Sequence, residues 1–311
     1  MIARCYLEIT NICNLDCVFC PKNARPKRLM TMEEFDRLTN RLVGEVRFLY
    51  FHLMGEPMLH PHLADFVRMA RDKGFVPVLT TNGTLLDKNA SLLAEYAPRT
   101  PQTPQASQTP YLPHPLVPPS SLPLLHKLQI SLHSHEGNGR ENPEEYMKQV
   151  MTYALDAAHL GTIVVLRLWN QGGLDSANAH LLELAARYVP QPWTERYDGW
   201  KLTDRIYIEY DHLFEWPDED HAEYGNGEEV FCYALRNQLG VLVDGTVVPC
   251  CLDHEGSVPL GNLHGQTLAE VLSSPLAQAL YNGFSHHHAT ESFCRRCGYA
   301  SVTKRFRKDG K

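Results

Sequence analysis

The sequence predicts an α/β protein, a parallel barrel or open parallel sheet followed by a smaller cysteine-bearing domain. Three observations carry this. Six strand-like segments alternate with five helix-like ones between residues 4 and 210. Three cysteines, Cys13, Cys17 and Cys20, fill a short loop just past the first strand-like segment. Parallel α/β barrels place their active sites at that end of their strands. A second cysteine set, Cys232, Cys250, Cys251, Cys294 and Cys297, is confined to the C-terminal part of the chain.

Taken in order, residues 4–10 (Arg-Cys-Tyr-Leu-Glu-Ile-Thr) alternate and read as a strand that ends directly before the cysteine loop. Thr31-Met-Glu-Glu-Phe reads as a helix start, with Thr31 as N-cap and Glu34 three residues on. A strand near 46–53, a helix near 61–73, a strand at 75–81 and a helix near 86–96 come next. The alternation resumes with a strand at 127–133, a helix at 143–159, a strand at 162–169, a helix at 176–188 and a strand at 205–210. Between the two runs, residues 98–123 hold nine of the 21 prolines and only one charged residue, Arg99. With little apolar surface to bury, this segment is expected to be a disordered or polyproline-like insertion.

The 311 residues suffice for one large domain, or for a barrel plus a smaller domain. Hydrophobic residues at 43% and charged residues at 21% are ordinary for a globular chain. A formal charge of -7 supplies no overall basic field for nucleic acid, and the basic tail (Lys304, Arg305, Arg307, Lys308, Lys311) reads as a solvated end. No apolar stretch approaches the length of a membrane span, and no signal peptide precedes the first strand. Cysteines in ligand-like spacings fit a reducing compartment better than a disulfide framework, so a cytoplasmic protein is expected.

Three thiolates in one loop can hold three irons of a cubane iron–sulfur cluster and leave the fourth iron without a protein ligand. A zinc loop is the competing reading, but zinc sites usually present cysteines in C-x2-C pairs, and the third cysteine breaks that pairing.

The run Cys13-Asn-Leu-Asp-Cys17-Val-Phe19-Cys20, with an aromatic directly before the last cysteine, resembles the signature of radical S-adenosylmethionine (SAM) enzymes. The resemblance implies a six-stranded partial barrel over residues 1–210, a [4Fe-4S] cluster whose open iron chelates SAM, and a flavodoxin- or ferredoxin-type electron donor. His52-Leu-Met-Gly55-Glu56-Pro57 is similar to the family's Gly-Gly-Glu motif, with Met54 in place of its first glycine. It implies that Gly55 and Glu56 hold the SAM amino group. His52 shares a face with Glu56, and a packed core histidine is its expected role. Thr80-Thr81-Asn82-Gly83 looks like the family's Thr-Asn-Gly turn, which would bring Asn82 to SAM or simply close a tight turn. Ser131 ends the fourth strand, where the family places a hydroxyl against the SAM carboxylate or ribose, and Phe19 matches the aromatic near the adenine.

Arg167-Leu-Trp169-Asn170 ends the fifth strand. An arginine at a barrel mouth can bind a carboxylate or phosphate through two parallel hydrogen bonds, so Arg167 is the leading substrate-facing residue. Glu56, Glu8 and SAM are alternative partners for it.

Cys232-x12-Gly245-x4-Cys250, then Leu260-Gly261-Asn262 and Cys294-Arg-Arg-Cys297, resemble the opening of the SPASM domain, an extension that binds auxiliary clusters. No cysteine follows Cys297, so residues 211–311 look like the shortened, one-cluster form called twitch. Cys232, Cys250, Cys294 and Cys297 would complete one closed auxiliary [4Fe-4S] cluster. A tetrathiolate zinc site uses the same ligands. Cys251 could replace Cys250, although the spacing from Gly245 favours Cys250. Cys5 reads as a core residue, and His286-His287-His288 as an exposed loop.

The expectation is therefore a radical SAM oxidoreductase or maturase. Its 5′-deoxyadenosyl radical would take hydrogen from a small-molecule or peptide substrate, with the auxiliary cluster accepting an electron. Peptide cross-linking or thioether formation is the nearest alternative. A non-catalytic iron–sulfur or zinc-binding electron-transfer protein is the alternative of another class.

Overall fold

Six parallel strands form the centre of one eleven-stranded sheet. The computed structural model describes residues 2–96, 122–139, 141–218, 222–223 and 230–300. The first half contains β1 (Ile2–Leu7), α1 (Met32–Leu42), β2 (Val46–Tyr50), α2 (Leu63–Asp72), β3 (Val76–Thr81), β4 (Glu95–Tyr96), β5 (Leu122–Pro123), β6 (Lys127–Ser131) and a short α3 (His133–Gly137). Then come α4 (Pro143–His159), β7 (Ile163–Gln171), α5 (Asn178–Ala186), the hairpin β8 (Thr194–Arg196) and β9 (Gly199–Lys201), and β10 (Ile206–His212). The C-terminal part adds β11 (Gln238–Val241), β12 (Thr246–Val248), β13 (Gly261–Asn262), α6 (Leu268–Leu272), α7 (Pro275–Ser285) and α8 (Ser292–Arg295).

Strands β1, β2, β3, β6, β7 and β10 are parallel neighbours in that order. This is the six-stranded α/β arrangement expected. The sequence pattern of β6 shows how the sheet sorts its faces. Leu128 and Ile130 are fully buried against the helices, whereas Lys127 and Gln129 turn to the opposite side and line a cavity. Side chains from β1, β2, β6 and β7 line that same cavity, so the sheet curves around a lumen.

Local chemistry sets the helix ends. Thr31 Oγ1 accepts from the Glu34 N–H at 3.1 Å, and Glu34 Oε2 accepts from the Thr31 N–H at 2.9 Å, closing the capping box at α1. Asn142 caps α4, with Pro143 in its first turn. Cys5 is fully buried and His286, His287 and His288 are exposed, both as expected.

The helix expected near 86–96 is not formed. Residues Asp87–Leu92 make a short 3-10 helix instead, and Glu95–Tyr96 pair with Leu122–Pro123. Asn89 explains the change, since its side-chain amide donates to the Leu85 carbonyl at 3.0 Å while its backbone N–H turns to Leu86 at 2.9 Å. Leu122 and Pro123, assigned from sequence to the insertion, are therefore strand, and residues 98–121 of that segment lie outside the described residues. So does the basic tail after residue 300. Strand β10 runs to His212, slightly past the domain boundary expected at 210.

The C-terminal part extends the sheet. Strand β11 pairs in parallel with β1, Cys5 opposite Leu239, and β12 and β13 continue antiparallel. At the other edge the β8–β9 hairpin covers β10. Among the described residues no helix is long and apolar enough to cross a membrane.

Candidate active site and cluster sites

The cysteine loop leaves β1 and is held from several directions. The Val18 N–H donates to the Gly137 carbonyl at 2.8 Å, and the Asp16 N–H to Asn138 Oδ1 at 2.7 Å, which ties the loop to α3. Lys22 Nζ donates to the Cys17 carbonyl and pairs with Asp16, both at 2.7 Å. Phe19 packs on Gly137, where an added Cβ would lie 2.3 Å from the ring.

Gly55 lets the loop after β2 approach this segment. Its φ of 77° is left-handed, and a Cβ there would stand 2.5 Å from the Thr10 carbonyl oxygen. The next residue, Glu56, donates its N–H to the Ile12 carbonyl at 2.8 Å. Its buried carboxylate accepts from the Met58 N–H at 2.9 Å, Thr81 Oγ1 at 2.8 Å and the Asn82 N–H at 2.7 Å. Burial nonetheless pushes the carboxyl up to about 7. Asn82 in turn donates through Nδ2 to Asn14 Oδ1 at 3.0 Å, linking the β3 turn to the cysteine loop.

These contacts gather the expected residues in one place. A cavity of about 480 Å³ is lined by Cys13, Cys17, Cys20, Phe19, Gly55, Glu56, Asn82 and Ser131. Burial, then the neighbouring Cys13 and Cys20, push the Cys17 thiol up to about 11. Thiols whose anions repel one another fit a cationic iron group, which reverses that cost on binding.

A second cavity, of about 370 Å³, occupies the lumen and shares Phe19, His52, Leu53 and Trp216 with the first. Arg167 lines it, with its guanidinium 3.3 Å from the centre of the Trp169 ring. Burial lowers the Arg167 pKa to about 10, and Tyr6, Glu209, Cys251 and Asp211 oppose that shift. His52 is packed as expected, its ring centroid 5.4 Å from that of Tyr6 and 5.9 Å from that of Tyr50. It also lies at the junction of the two cavities, Nδ1 has no hydrogen-bond partner among the described residues, and burial with the Arg167 charge lowers its pKa to about 3.

The C-terminal thiols form a third site. Cys232, Cys250, Cys294 and Cys297 line one small, largely apolar cavity. Burial raises all four thiols, and the adjacent Cys251, then each of the other three cysteines, raises Cys250 further. Cys251 points elsewhere, into the lumen beside Tyr6 and Arg167. The two adjacent cysteines thus line different cavities, and among the described residues four thiols and no other polar side chain surround the small one. Such a donor set fits a closed iron–sulfur cluster. Among the described residues no three His, Cys, Asp or Glu side chains converge as for one metal ion.

Sequence reasoning missed Arg4, Tyr6, Tyr50, Lys127, Gln129 and Trp216, which also line the lumen. The signal for several of them was present. Polar side chains alternating with core residues in Lys127-Leu-Gln-Ile-Ser131 mark a polar interior face.

The fold and the paired cysteine sites define an α/β iron–sulfur protein with a curved parallel sheet. The Radical SAM superfamily profile matches residues 7–108, and an iron-sulfur cluster-binding domain profile, SPASM, matches residues 232–298. The chain belongs to the radical SAM superfamily and carries a C-terminal SPASM domain. Together these domains imply [4Fe-4S] clusters and SAM as cofactors.

Among curated relatives, the tungsten-containing aldehyde ferredoxin oxidoreductase cofactor-modifying protein of Pyrococcus furiosus is 38% identical over 96 residues, 29% of this chain and 27% of that protein. A GTP 3′,8-cyclase of Chlorobaculum tepidum is 35% identical over 94 residues, 29% of this chain and 28% of that protein. The chain thus matches less than a third of the length of these relatives. Among solved structures, BtrN in complex with AdoMet and 2-DOIA has a TM-score of 0.53 at 16% identity, covering 96% of this chain and 93% of that one. Streptococcus suis SuiB bound to S-adenosylmethionine has a TM-score of 0.58 at 13% identity, covering 98% and 74%. These likenesses establish the fold.

Proposed function

We propose that this chain is a radical SAM enzyme that acts on a small molecule in the lumen, with an auxiliary [4Fe-4S] cluster as electron acceptor. The observation that carries this reading is continuity. The cavity holding Cys13, Cys17 and Cys20 shares four wall residues with a lumen that also contains Arg167 and Cys251, the residue next to Cys250.

In this reading Cys13, Cys17 and Cys20 hold the first cluster, and Cys232, Cys250, Cys294 and Cys297 the second. Cluster and SAM together supply, on reduction, a 5′-deoxyadenosyl radical able to take a hydrogen atom from a substrate. Gly55 gives the β2 loop its close approach to the cluster loop. Glu56 and Asn82 fix the β2 and β3 turns around the SAM cavity, Ser131 offers it a hydroxyl, and Phe19 offers an apolar face for the adenine. Arg167 is the substrate-facing residue. A flavodoxin- or ferredoxin-type protein is the electron donor this chemistry calls for, and a reducing cytoplasmic compartment suits the exposed cluster thiol of Cys13.

A peptide substrate is the second reading. It is favoured by an open cavity of about 650 Å³ beside the lumen, walled by Trp169, Tyr197 and Trp200.

The test is anaerobic reconstitution with SAM and dithionite, scored for 5′-deoxyadenosine and for iron. Wild type should hold about eight irons and cleave SAM, and the Cys13→Ala/Cys17→Ala/Cys20→Ala variant about four with no cleavage. Wild-type protein with a full iron complement and no SAM cleavage would overturn the enzyme reading.

A further inference from the structure

We propose that the lumen binds an anionic group of the substrate, a carboxylate or a phosphate, with the Arg167 guanidinium as its principal partner and Lys127 and Arg4 adding positive charge. This deepens the function proposed above and rests on it for the lumen being the substrate chamber.

Charge is distributed unevenly between the two chambers that meet at Trp169. Among the described residues, the lumen wall carries Arg4, Lys127 and Arg167 and no carboxylate. Among the described residues, the outer chamber carries Glu195, Asp198, Glu209 and Asp211 against one cation, Arg196. Glu209 and Asp211 reach Arg167 electrostatically from β10, yet among the described residues neither forms an ion pair with it.

Arg167 is short of partners where it can least tolerate the lack. Its Nε is buried without a hydrogen-bond acceptor. The guanidinium lies over the Trp169 ring, and stacking of that kind occupies the flat face while leaving the in-plane N–H edges available. A buried cation is costly unless hydrogen-bonded acceptors compensate it. No acceptor from the described chain does so, and the cavity leaves room for one from outside.

His52 repeats the pattern, since it lines the same lumen and its buried Nδ1 has no partner among the described residues. A planar fork, a nearby imidazole and two further ammonium or guanidinium groups suit an oxyanion. Both a carboxylate and a phosphate match the fork, because each presents two oxygens to parallel N–H bonds. The SAM carboxylate is the competing source of an anion. It is disfavoured because Arg167 lines the lumen and not the cavity that holds the three N-terminal cysteines.

The test uses the reconstituted two-cluster protein saturated with SAM, titrated calorimetrically with inorganic phosphate and separately with succinate, at ionic strength fixed with chloride. At least one anion should bind saturably at a single site. Affinity should fall at least about tenfold in Arg167→Gln and by less in Arg167→Lys, which keeps the charge but loses the fork. Lys127→Gln should weaken the same anion. Iron content and SAM affinity should match wild type in every variant. Phosphate binding alone identifies a phosphorylated substrate, and succinate binding alone a carboxylate. The proposal is overturned if neither anion binds, if Arg167→Gln binds as wild type, or if Arg167→Gln weakens SAM instead. Should Arg167→Gln fail to fold, the Lys127→Gln titration decides. SAM cleavage assayed without added anion reports separately on the enzyme reading.

Discussion

Glu8 and Arg25 meet through two parallel hydrogen bonds, Nη1 to Oε2 at 2.9 Å and Nη2 to Oε1 at 2.7 Å, in the interior between the two domains. Arg25 sits on the return from the cysteine loop, and its Nε also donates to the His254 carbonyl at 2.8 Å. The same Glu8 carboxylate accepts from the Met54 N–H at 3.2 Å and the Val243 N–H at 2.9 Å. One carboxylate therefore joins the cysteine loop, the β2 loop and the C-terminal domain.

Removing one partner strands the other. Arg25→Met should destabilise the protein by about 3–5 kcal/mol, because Glu8 would be left buried without its counter-ion. Adding Glu8→Gln to that variant should restore part of the loss. A double variant no more stable than Arg25→Met in anaerobic thermal melts would show that the pair is not coupled.

Iron counts distinguish the adjacent cysteines. Cys250→Ala should lower the iron content from about eight to about four, whereas Cys251→Ala should leave about eight. Equal loss in both variants would contradict the placement of Cys251 in the lumen.

Gly55→Ala places a methyl group 2.5 Å from the Thr10 carbonyl oxygen at a left-handed φ. The β2 loop must then move away from the cysteine loop, and displacement on the order of 1 Å in such a site costs about 10²-fold in rate. Reductive SAM cleavage should fall by that order while the Cys294/Cys297 site keeps its iron, measured by selective iron release.

Burial lowers the His133 pKa from 6.5 to about 4. The unfolded chain then binds more protons between those values, so stability rises with pH from about 4 to 6.5 and is flat above. At pH 5.5 the loss attributable to His133 is about 1 kcal/mol relative to neutral pH. His133→Gln should flatten that part of the stability profile, read from denaturant unfolding at pH 5.5 and 7.5. An unchanged slope would refute the assignment.

Tyr96 stands directly opposite Leu122 in an antiparallel pair. Joining them with a two-residue Asn-Gly turn in place of residues 97–121 should keep both clusters and change stability by less than about 1 kcal/mol. Loss of iron from a folded deletion variant would show that the segment shields a cluster.

Much of the site was legible because its chemistry depends on local spacing. Cys13, Cys17 and Cys20, the Thr31–Glu34 capping box and the Asn142-Pro143 helix start each act within a few residues. The unread parts depend on distant partners. Helix α3 (His133–Gly137) has no apolar period and is held by the cysteine loop, which is far away in sequence. Asn89 breaks a plausible helix through a side-chain bond to the Met58 carbonyl at 3.1 Å as well as to Leu85. Arg4 and Lys127 look like ordinary strand-end charges until the sheet curves and turns both into one lumen.

The parallel pairing of β11 with β1 changes what kind of object the C-terminal domain is. A tethered module could be cut away and leave its neighbour whole. Here, a chain ending after β10 would expose the backbone donors and acceptors of β1 as a bare, flat edge, the surface through which sheets of different molecules fuse. Solubility of the barrel and possession of a second cluster are thus tied together by backbone hydrogen bonds. A lineage that lost the auxiliary cluster would still have to retain, or replace, the strand that carries it.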